Sequence, residues 1–311
     1  MPKERLHLYL ADKLLSGCAG SPPSQKIGRG LEASPARPPG VAGDPKRSEG
    51  PPHQIHGPDA FSFYIGAISP DIFFYDFPFF SLSPMGDAMH GVLEREGISI
   101  IHNWIARTSS PSRREISWAL GFACHFLADE AWHPLINELS GPGSRPDFFK
   151  GKKLSEIERH RLIESELEAL WLAGSPGPQK YDRLLEAFSK GRDLLFEIAS
   201  YYRGFLDFAG LGELSEKVSD RQIVKCWLSQ IFFLRLFANR VLGRQRDRLL
   251  SFMPTRSLGA LVTPAHPNLP ALFARDLPED QNPLSDSFMR NALKSMGLQL
   301  CELADNFRLM I

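Results

Sequence analysis

The chain has 311 residues, of which 43% are apolar and 23% charged, the composition of an ordinary globular protein. Its 36 basic and 36 acidic residues cancel, which argues against binding of duplex nucleic acid through a strongly basic surface. No apolar run is long enough to span a membrane, and the four widely spaced cysteines form neither a disulfide framework nor a zinc–thiolate site.

The first residues of the chain admit two interpretations. A basic start, an apolar stretch and the sequence Leu15-Ser16-Gly17-Cys18 are similar to the cleavage box of a bacterial lipoprotein. However, His7, Asp12 and Lys13 interrupt the apolar stretch, whereas a signal peptide needs an unbroken apolar core. We therefore predict an amphipathic helix in a cytoplasmic protein, with a lipoprotein anchored through Cys18 as the alternative.

Residues 21–58 are rich in Pro, Gly, Ser and Arg and contain almost no large apolar side chain. Such a segment buries too little surface to offset the entropy of ordering it, so we predict a disordered insertion. The residues before the insertion are expected to pack against the residues after it. The prediction is therefore a single domain over 1–311 that contains this insertion.

Beyond the insertion, apolar residues recur at intervals of three and four, which is the period of an amphipathic helix. The pattern predicts helices over residues 87–107, 113–133, 153–173, 179–208, 219–252 and 284–309. Pro134 is expected to follow the end of the second of these helices. Since no segment alternates with the period of a β-strand, the predicted fold is all-α.

The most informative stretch is the helix predicted over 113–133. His125, Asp129 and His133 recur at intervals of four, so their side chains project from one helix face. Two imidazoles and a carboxylate on an otherwise apolar helix are costly to bury unless something binds them. Both groups are zinc ligands, so a metal site is favoured over a buried His–Asp hydrogen bond with a second, unrelated histidine.

Five more residues are candidate ligands: His7, Asp71, His90, His160 and Glu164. The last two share a helix face, because they too are four residues apart. Each candidate has a simpler explanation by itself, as a solvated charged pair, an isolated core histidine or an aspartate in a turn. Together with the helix at 113–133, however, they bring the number of ligands to a total sufficient for two or three zinc ions.

The order of these residues resembles that in the bacterial zinc-dependent phospholipase C family, which is related to the single-strand-specific zinc nucleases. The resemblance covers residues 1–20 and 59–170. It rests on Pro2, His7, the run 66–71, Met89-His90-Gly91, the run 121–134, His160 and Glu164. It implies an all-α fold and the hydrolysis of a phosphodiester by metal-activated water.

The resemblance also implies a division of the ligands among three ions. The ligands of the first zinc would be Asp71, His90, His125 and Asp129. The ligands of the second would be His133, His160 and Glu164. Asp129 would also bridge to a third ion, shared with His7 and the residue at the N terminus. Asp71 is in addition the candidate to orient or deprotonate the attacking water.

The choice of substrate is the least determined part of the sequence analysis. The aromatic run at residues 72–80 suits a lipid, a stacked nucleobase or ordinary core packing. Because the net charge is zero, we expect a phospholipid or a related phosphodiester as substrate, and a transient contact with a membrane surface. A zinc nuclease of the related class and a helical metal-binding protein without catalysis are the alternatives.

Overall fold

A computed structural model of the chain describes residues 4–19, 59–141, 154–173, 191–238, 240–251, 260–264 and 286–308, together with Leu185 and Phe188. The predicted insertion, residues 21–58, lies outside the described residues, which resume at Asp59. The single-domain organisation over 1–311 therefore stays a prediction.

Every regular element in the described part of the chain is helical, which confirms the predicted all-α class. In chain order the elements are α1 (Glu4–Ala19), α2 (Ala60–Ile68), a 3-10 helix (Ile72–Tyr75), α3 (Ser83–Arg107), α4 (Arg113–Ser140), α5 (Glu156–Ala173), α6 (Arg192–Phe208), α7 (Gly212–Ser215), α8 (Asp220–Phe237), α9 (Arg240–Ser251) and α10 (Asp286–Arg308). None of the described helices is both long enough and apolar enough to cross a membrane.

α2 is not among the predicted helices, and one predicted helix is divided into two. α2 is buried over residues 62–68, so it has no polar face from which a helical period could be recognised. The helix predicted over 219–252 is two helices, α8 and α9. The sequence has no proline or glycine between the end of α8 at Phe237 and the start of α9 at Arg240.

The prediction that a helix ends before Pro134 is wrong, because α4 continues through this proline to Ser140. A proline inside a helix removes one backbone hydrogen bond and costs about 3 kcal/mol. Pro134 itself is exposed, whereas Ile136 and Ser140 beyond it are buried. The packing of these last turns against the rest of the protein thus outweighs the local cost.

The predicted N-terminal helix is confirmed as α1. Its apolar side chains are buried, and it contacts α2, α4, α5 and α10. The buried residues of this helix include Leu6, His7, Leu8, Leu10 and Leu14. α1 is therefore part of the core and not a peripheral segment.

α4 is the central helix, since it contacts α1, α2, α3, α5, α6 and α10. Its closest neighbour is α2, which two glycines allow to approach backbone to backbone. A Cβ atom on Gly121 would lie only 1.9 Å from the backbone oxygen of Phe63, and one on Gly66 would lie 2.2 Å from that of Trp118. This contact places the turn that follows α2 against the middle of α4.

We expect Gly121→Ala to destabilise the protein by about 3 kcal/mol or more, because the backbone of α2 would have to move away from α4. The matched control is Gly204→Ala in α6, where an added Cβ meets nothing within 4 Å. That change is expected to stabilise the protein by about 0.5–1 kcal/mol. Urea unfolding measures both effects, and a Gly121→Ala protein as stable as the wild type would contradict the close approach.

Candidate metal centre

Eight potential ligand side chains from α1, the turn after α2, α3, α4 and α5 meet in the core. In the described part of the chain they form three groups, within each of which the potential ligand atoms lie within 4.8 Å of one another. The first group is Asp71, His90 and His125, the second is His133, His160 and Glu164, and the third is His7, His125 and Asp129. The structure thus brings together all eight residues that the sequence singles out, and metal binding by them stays a prediction.

The first group joins the turn after α2 to α3 and α4. Asp71 is only 2% exposed, and its Oδ1 lies 2.9 Å from Nε2 of His90. The ring of Phe74 stacks on His90 with 5.9 Å between the ring centroids. The carboxylate of Asp71 is therefore buried and lies at hydrogen-bond distance from His90, which restricts it to one orientation, as is usual for a metal ligand.

His125 is wholly buried, and a hydrogen bond fixes its ring. Its Nδ1–H donates to the backbone oxygen of Ala67 over 2.9 Å, so in the neutral imidazole that a metal requires the lone pair is on Nε2. This Nε2 faces Asp129 Oδ2 at 3.3 Å and Asp71 Oδ2 at 3.8 Å, and makes no hydrogen bond within the described residues. A lone pair opposed to two carboxylates is unfavourable. A cation between these atoms removes the repulsion, so the arrangement fits a metal ligand.

The second group lies between α4 and α5 and adjoins the other two. Nε2 of His160 is 2.9 Å from Oε1 of Glu164, and Nε2 of His133 is 3.9 Å from the same oxygen. His133 Nε2 also lies 3.6 Å from Asp129 Oδ1, which connects the group to Asp129. Glu164 is buried, whereas both histidines are partly exposed.

The third group is the deepest and depends on α1. The ring of His7 stacks on that of His125 with 3.9 Å between centroids, and His7 Nε2 is 3.3 Å from Asp129 Oδ1. A cavity of about 10 Å³ beside them is lined in part by His7, Asp129, His133 and Glu164. This is about the space that one water molecule or one ion requires. The other ligand that the family resemblance implies, the N-terminal residue, lies outside the described residues.

The charges of the three groups support the metal interpretation. Asp71, Asp129 and Glu164 are each at most 5% exposed, and each carboxylate lies within 4 Å of at least one imidazole nitrogen. Buried carboxylates are strongly destabilising unless cations or hydrogen bonds offset them. Divalent ions with imidazole and carboxylate ligands supply that compensation, and this donor set is the one zinc takes.

A cavity of about 700 Å³ opens over the first and second groups. Besides the ligands, its lining includes Phe74, Asp87, Ser155, Glu156, Ile157 and Arg161. The partly exposed imidazoles of His90, His133 and His160 are therefore accessible to a molecule much larger than water. The cavity is large enough for the polar headgroup of a lipid or for a nucleotide.

Two of the lining residues could have been found from their spacing. Asp87 precedes His90 by three residues and Glu156 precedes His160 by four, so each shares a helix face with a candidate ligand. Arg161 has no such signal, because it directly follows His160 and should point elsewhere on the helix. Its place in the cavity depends on how α5 packs, which spacing alone does not predict.

Buried hydrogen bonds hold the turn that carries Asp71. Trp118 of α4 and Trp227 of α8 both donate from Nε1 to Oγ of Ser69, each over 3.2 Å. Ser69 Oγ in turn donates to the backbone oxygen of Ile65 over 2.6 Å. One serine hydroxyl thereby fastens two distant helices to the turn, two residues before the candidate ligand.

α6 and α8 supply further bonds to the same turn. Tyr202 donates from its hydroxyl to the backbone oxygen of Ser69 over 3.1 Å, and Gln230 donates from Nε2 to that of Ile68 over 2.9 Å. Burial raises the pKa of Tyr202 well above its ordinary value, and the nearby charge of Asp71 adds to this effect. The hydroxyl therefore remains a donor. These positioning residues come from distant parts of the chain, and local sequence does not indicate them.

Glu168, one helical turn beyond Glu164 on α5, is another buried carboxyl group, and its charge affects the stability of the protein. Burial raises its pKa to about 7, although Arg5 and Thr263 act in the opposite direction. Because its folded-state pKa exceeds the ordinary 4.5, the unfolded state loses the proton first as the pH rises. This group therefore lowers the free energy of unfolding between about pH 4.5 and pH 7, by about 3 kcal/mol in all.

We expect Glu168→Gln, which stays neutral, to gain stability relative to the wild type as the pH is raised from about 5 to about 8. Urea unfolding at both pH values measures the gain. Effects of pH on the metal ligands cancel in this comparison, because the wild type and the variant have the same ligands. Glu302→Gln, at an exposed glutamate, is the matched control. A stability difference that does not vary with pH would show that Glu168 is not buried as described.

Comparison with known proteins gives one finding. Residues 52–207, about half of the chain, match the family described as zinc dependent phospholipase C, and this segment contains every candidate ligand except His7. No curated protein and no solved structure matches the chain significantly. Since the matched segment, the helical fold and the grouped ligands agree, the chain belongs to the zinc-dependent phospholipase C family.

Proposed function

We propose that this protein is a zinc-dependent phosphodiesterase of the phospholipase C type, which hydrolyses a phospholipid to diacylglycerol and a phosphorylated headgroup. One observation carries the proposal. Asp129 links the first and second ligand groups, since its carboxylate lies 3.3 Å from His125 Nε2 and 3.6 Å from His133 Nε2, and both groups border the same cavity of about 700 Å³. A phosphodiester in this cavity would thus lie beside both groups, as metal-assisted hydrolysis of a phosphate requires.

We propose two or three zinc ions, held by the three groups described above. Zinc acts as a Lewis acid on phosphate oxygens and lowers the pKa of water toward neutrality. The protein contributes fixed geometry. Asp71 is buried and follows the hydrogen-bonded turn at Ser69, and we assign to it the roles of orienting the attacking water and accepting its proton.

Arg161 is the cation among the described residues that line the cavity, and we assign to it a contact with a phosphate oxygen. Asp87 and Glu156 line the same cavity and outnumber it. Acidic side chains repel a polyanion such as a nucleic acid strand, whose binding depends on basic residues. The lining therefore favours a lipid headgroup over the alternative substrate, a single-stranded nucleic acid.

We also propose that the protein remains in the cytoplasm with α1 attached. α1 packs in the core and carries His7, which contacts Asp129. Lipoprotein processing before Cys18 would separate this helix from the rest of the protein. The intact mass of the purified protein tests this directly, since processing would remove residues 1–17 and add lipid to Cys18.

The test of the reaction is release of phosphorylated headgroup from phospholipid by the zinc-loaded protein. We expect Asp71→Asn to reduce the rate by about a hundredfold or more. Arg161→Gln is expected to raise KM, because it removes a contact with the phosphate. His102→Ala is the matched control, since His102 stacks on Phe307, away from the three groups, and should leave the rate unchanged.

The same assay, run in parallel with single-stranded DNA, separates the alternatives. Release of nucleotides instead of headgroup would replace the proposed activity by that of a nuclease. Absence of turnover on both substrates, with zinc bound, would contradict the enzymatic proposal and leave a helical metal-binding protein.

A further inference from the structure

Exposed phenylalanines are concentrated in one place on this protein. Nine large apolar side chains are exposed in the described part of the chain, and five of them are phenylalanines. We call these five, together with the partly buried Phe233 that Phe77 and Phe232 contact, the aromatic patch: Phe77, Phe79, Phe80, Phe196, Phe232 and Phe233. An exposed cluster of this kind is unusual unless it binds something.

Ring contacts within the aromatic patch join the loop after the 3-10 helix to α8. Phe77 packs against Phe80 and Phe233 with centroid distances of 6.1 and 5.4 Å, and Phe232 lies 5.4 Å from Phe233. Phe79 is the most exposed of the large apolar residues in the described part of the chain, at 79%. Because these four rings, of Phe77, Phe80, Phe232 and Phe233, pack against one another, their water-exposed aromatic surface is held in place.

A groove of about 410 Å³ runs along the patch and is basic. Arg192, Arg221 and Lys225 line it, and no acidic residue does so within the described part of the chain. Nζ of Lys225 lies 3.2 Å from Oδ1 of Asp76, and the side chain of Asp76 is buried while that of Lys225 is exposed. Aromatic rings with cations beside them on a surface are typical of segments that enter the headgroup region of an anionic bilayer.

The aromatic patch is joined to the candidate metal centre by a short piece of chain. Asp71 of the first ligand group directly precedes the 3-10 helix, in which Phe74 lines the metal cavity and Tyr75 packs against Phe233. Ile157, 63% exposed, also lines that cavity. The loop at residues 76–82 therefore connects the cavity to the patch.

We propose that the aromatic patch and its basic groove form a docking surface for an anionic lipid bilayer. This inference rests on the proposed function in that it names the partner from which the metal cavity would draw its substrate. A second copy of the chain is the weaker occupant. A two-fold contact through this patch would bring the same three cations of each copy together, which is unfavourable.

The test is sedimentation of the zinc-loaded protein with vesicles of phosphatidylcholine alone, and of phosphatidylcholine mixed with phosphatidylglycerol in equal amounts. We expect the protein to bind the mixed vesicles, and added salt to weaken binding. Phe79→Ser with Phe232→Ser should weaken it by at least about tenfold, because two rings no longer enter the bilayer. Arg192→Glu with Arg221→Glu should weaken it to a similar extent.

Matched controls are Val241→Ser with Leu298→Ser, at exposed apolar side chains outside the patch, and Arg244→Glu at an exposed arginine of α9. All three changes should leave vesicle binding intact. The proposal is overturned if the wild type does not bind mixed vesicles, or if the two phenylalanine changes have no more effect than the controls. It is also overturned if these changes abolish self-association of a protein that does not bind vesicles.

Sedimentation does not require turnover, so this inference and the proposed reaction can fail separately. A protein that binds mixed vesicles through the patch but releases no headgroup would support the docking surface and contradict the enzyme. Conversely, hydrolysis of a short-chain phospholipid in solution, with no binding to mixed vesicles, would support the enzyme and overturn the docking surface.

Discussion

Negative charge buried among imidazoles at the centre of the helical core is the constraint on which the rest of this structure depends. Asp71, Asp129 and Glu164 come from three separate elements and lie close together, almost without contact with water. Carboxylates in such a place destabilise a fold unless cations accompany them. In this account metal ions supply the cations, so that folding and metal binding are coupled. The coupling extends to α1, because His7 of α1 contacts the carboxylate of Asp129 on α4, as His125 does.

The scaffold around this charge keeps the ligands fixed. Gly66 and Gly121 let α2 touch α4 backbone to backbone, and this contact places the Ala67 oxygen where it orients the His125 ring. Ser69, two residues before Asp71, then accepts hydrogen bonds from two distant helices. Rigid support of this kind lets ligands hold one geometry whether or not substrate is present. The loop that follows turns outward, and its exposed aromatic rings form the patch that we assign to a lipid surface.

Much of the fold and of the ligand set can be predicted from the sequence, because helical periodicity is a local property. The intervals between His125, Asp129 and His133 already place three side chains on one face, and apolar periodicity predicts most helices. What could not be predicted depends on tertiary packing. α4 passes through Pro134 because its last turns are buried, α2 has no polar face, and Arg161 reaches the cavity only through the packing of α5. The oxygen that fixes His125 belongs to a backbone 58 residues away, which no spacing rule indicates.

The central claim is that the three groups of side chains bind metal, and metal content per chain tests it most directly. Elemental analysis of protein purified without chelator should find two or three zinc ions per chain, corresponding to the occupied groups. Changing His125 and His133 together to alanine should remove most of this metal, whereas His102→Ala should retain it. A wild-type protein that binds no metal after incubation with zinc would contradict the account, and its buried carboxylates would then need another source of compensation.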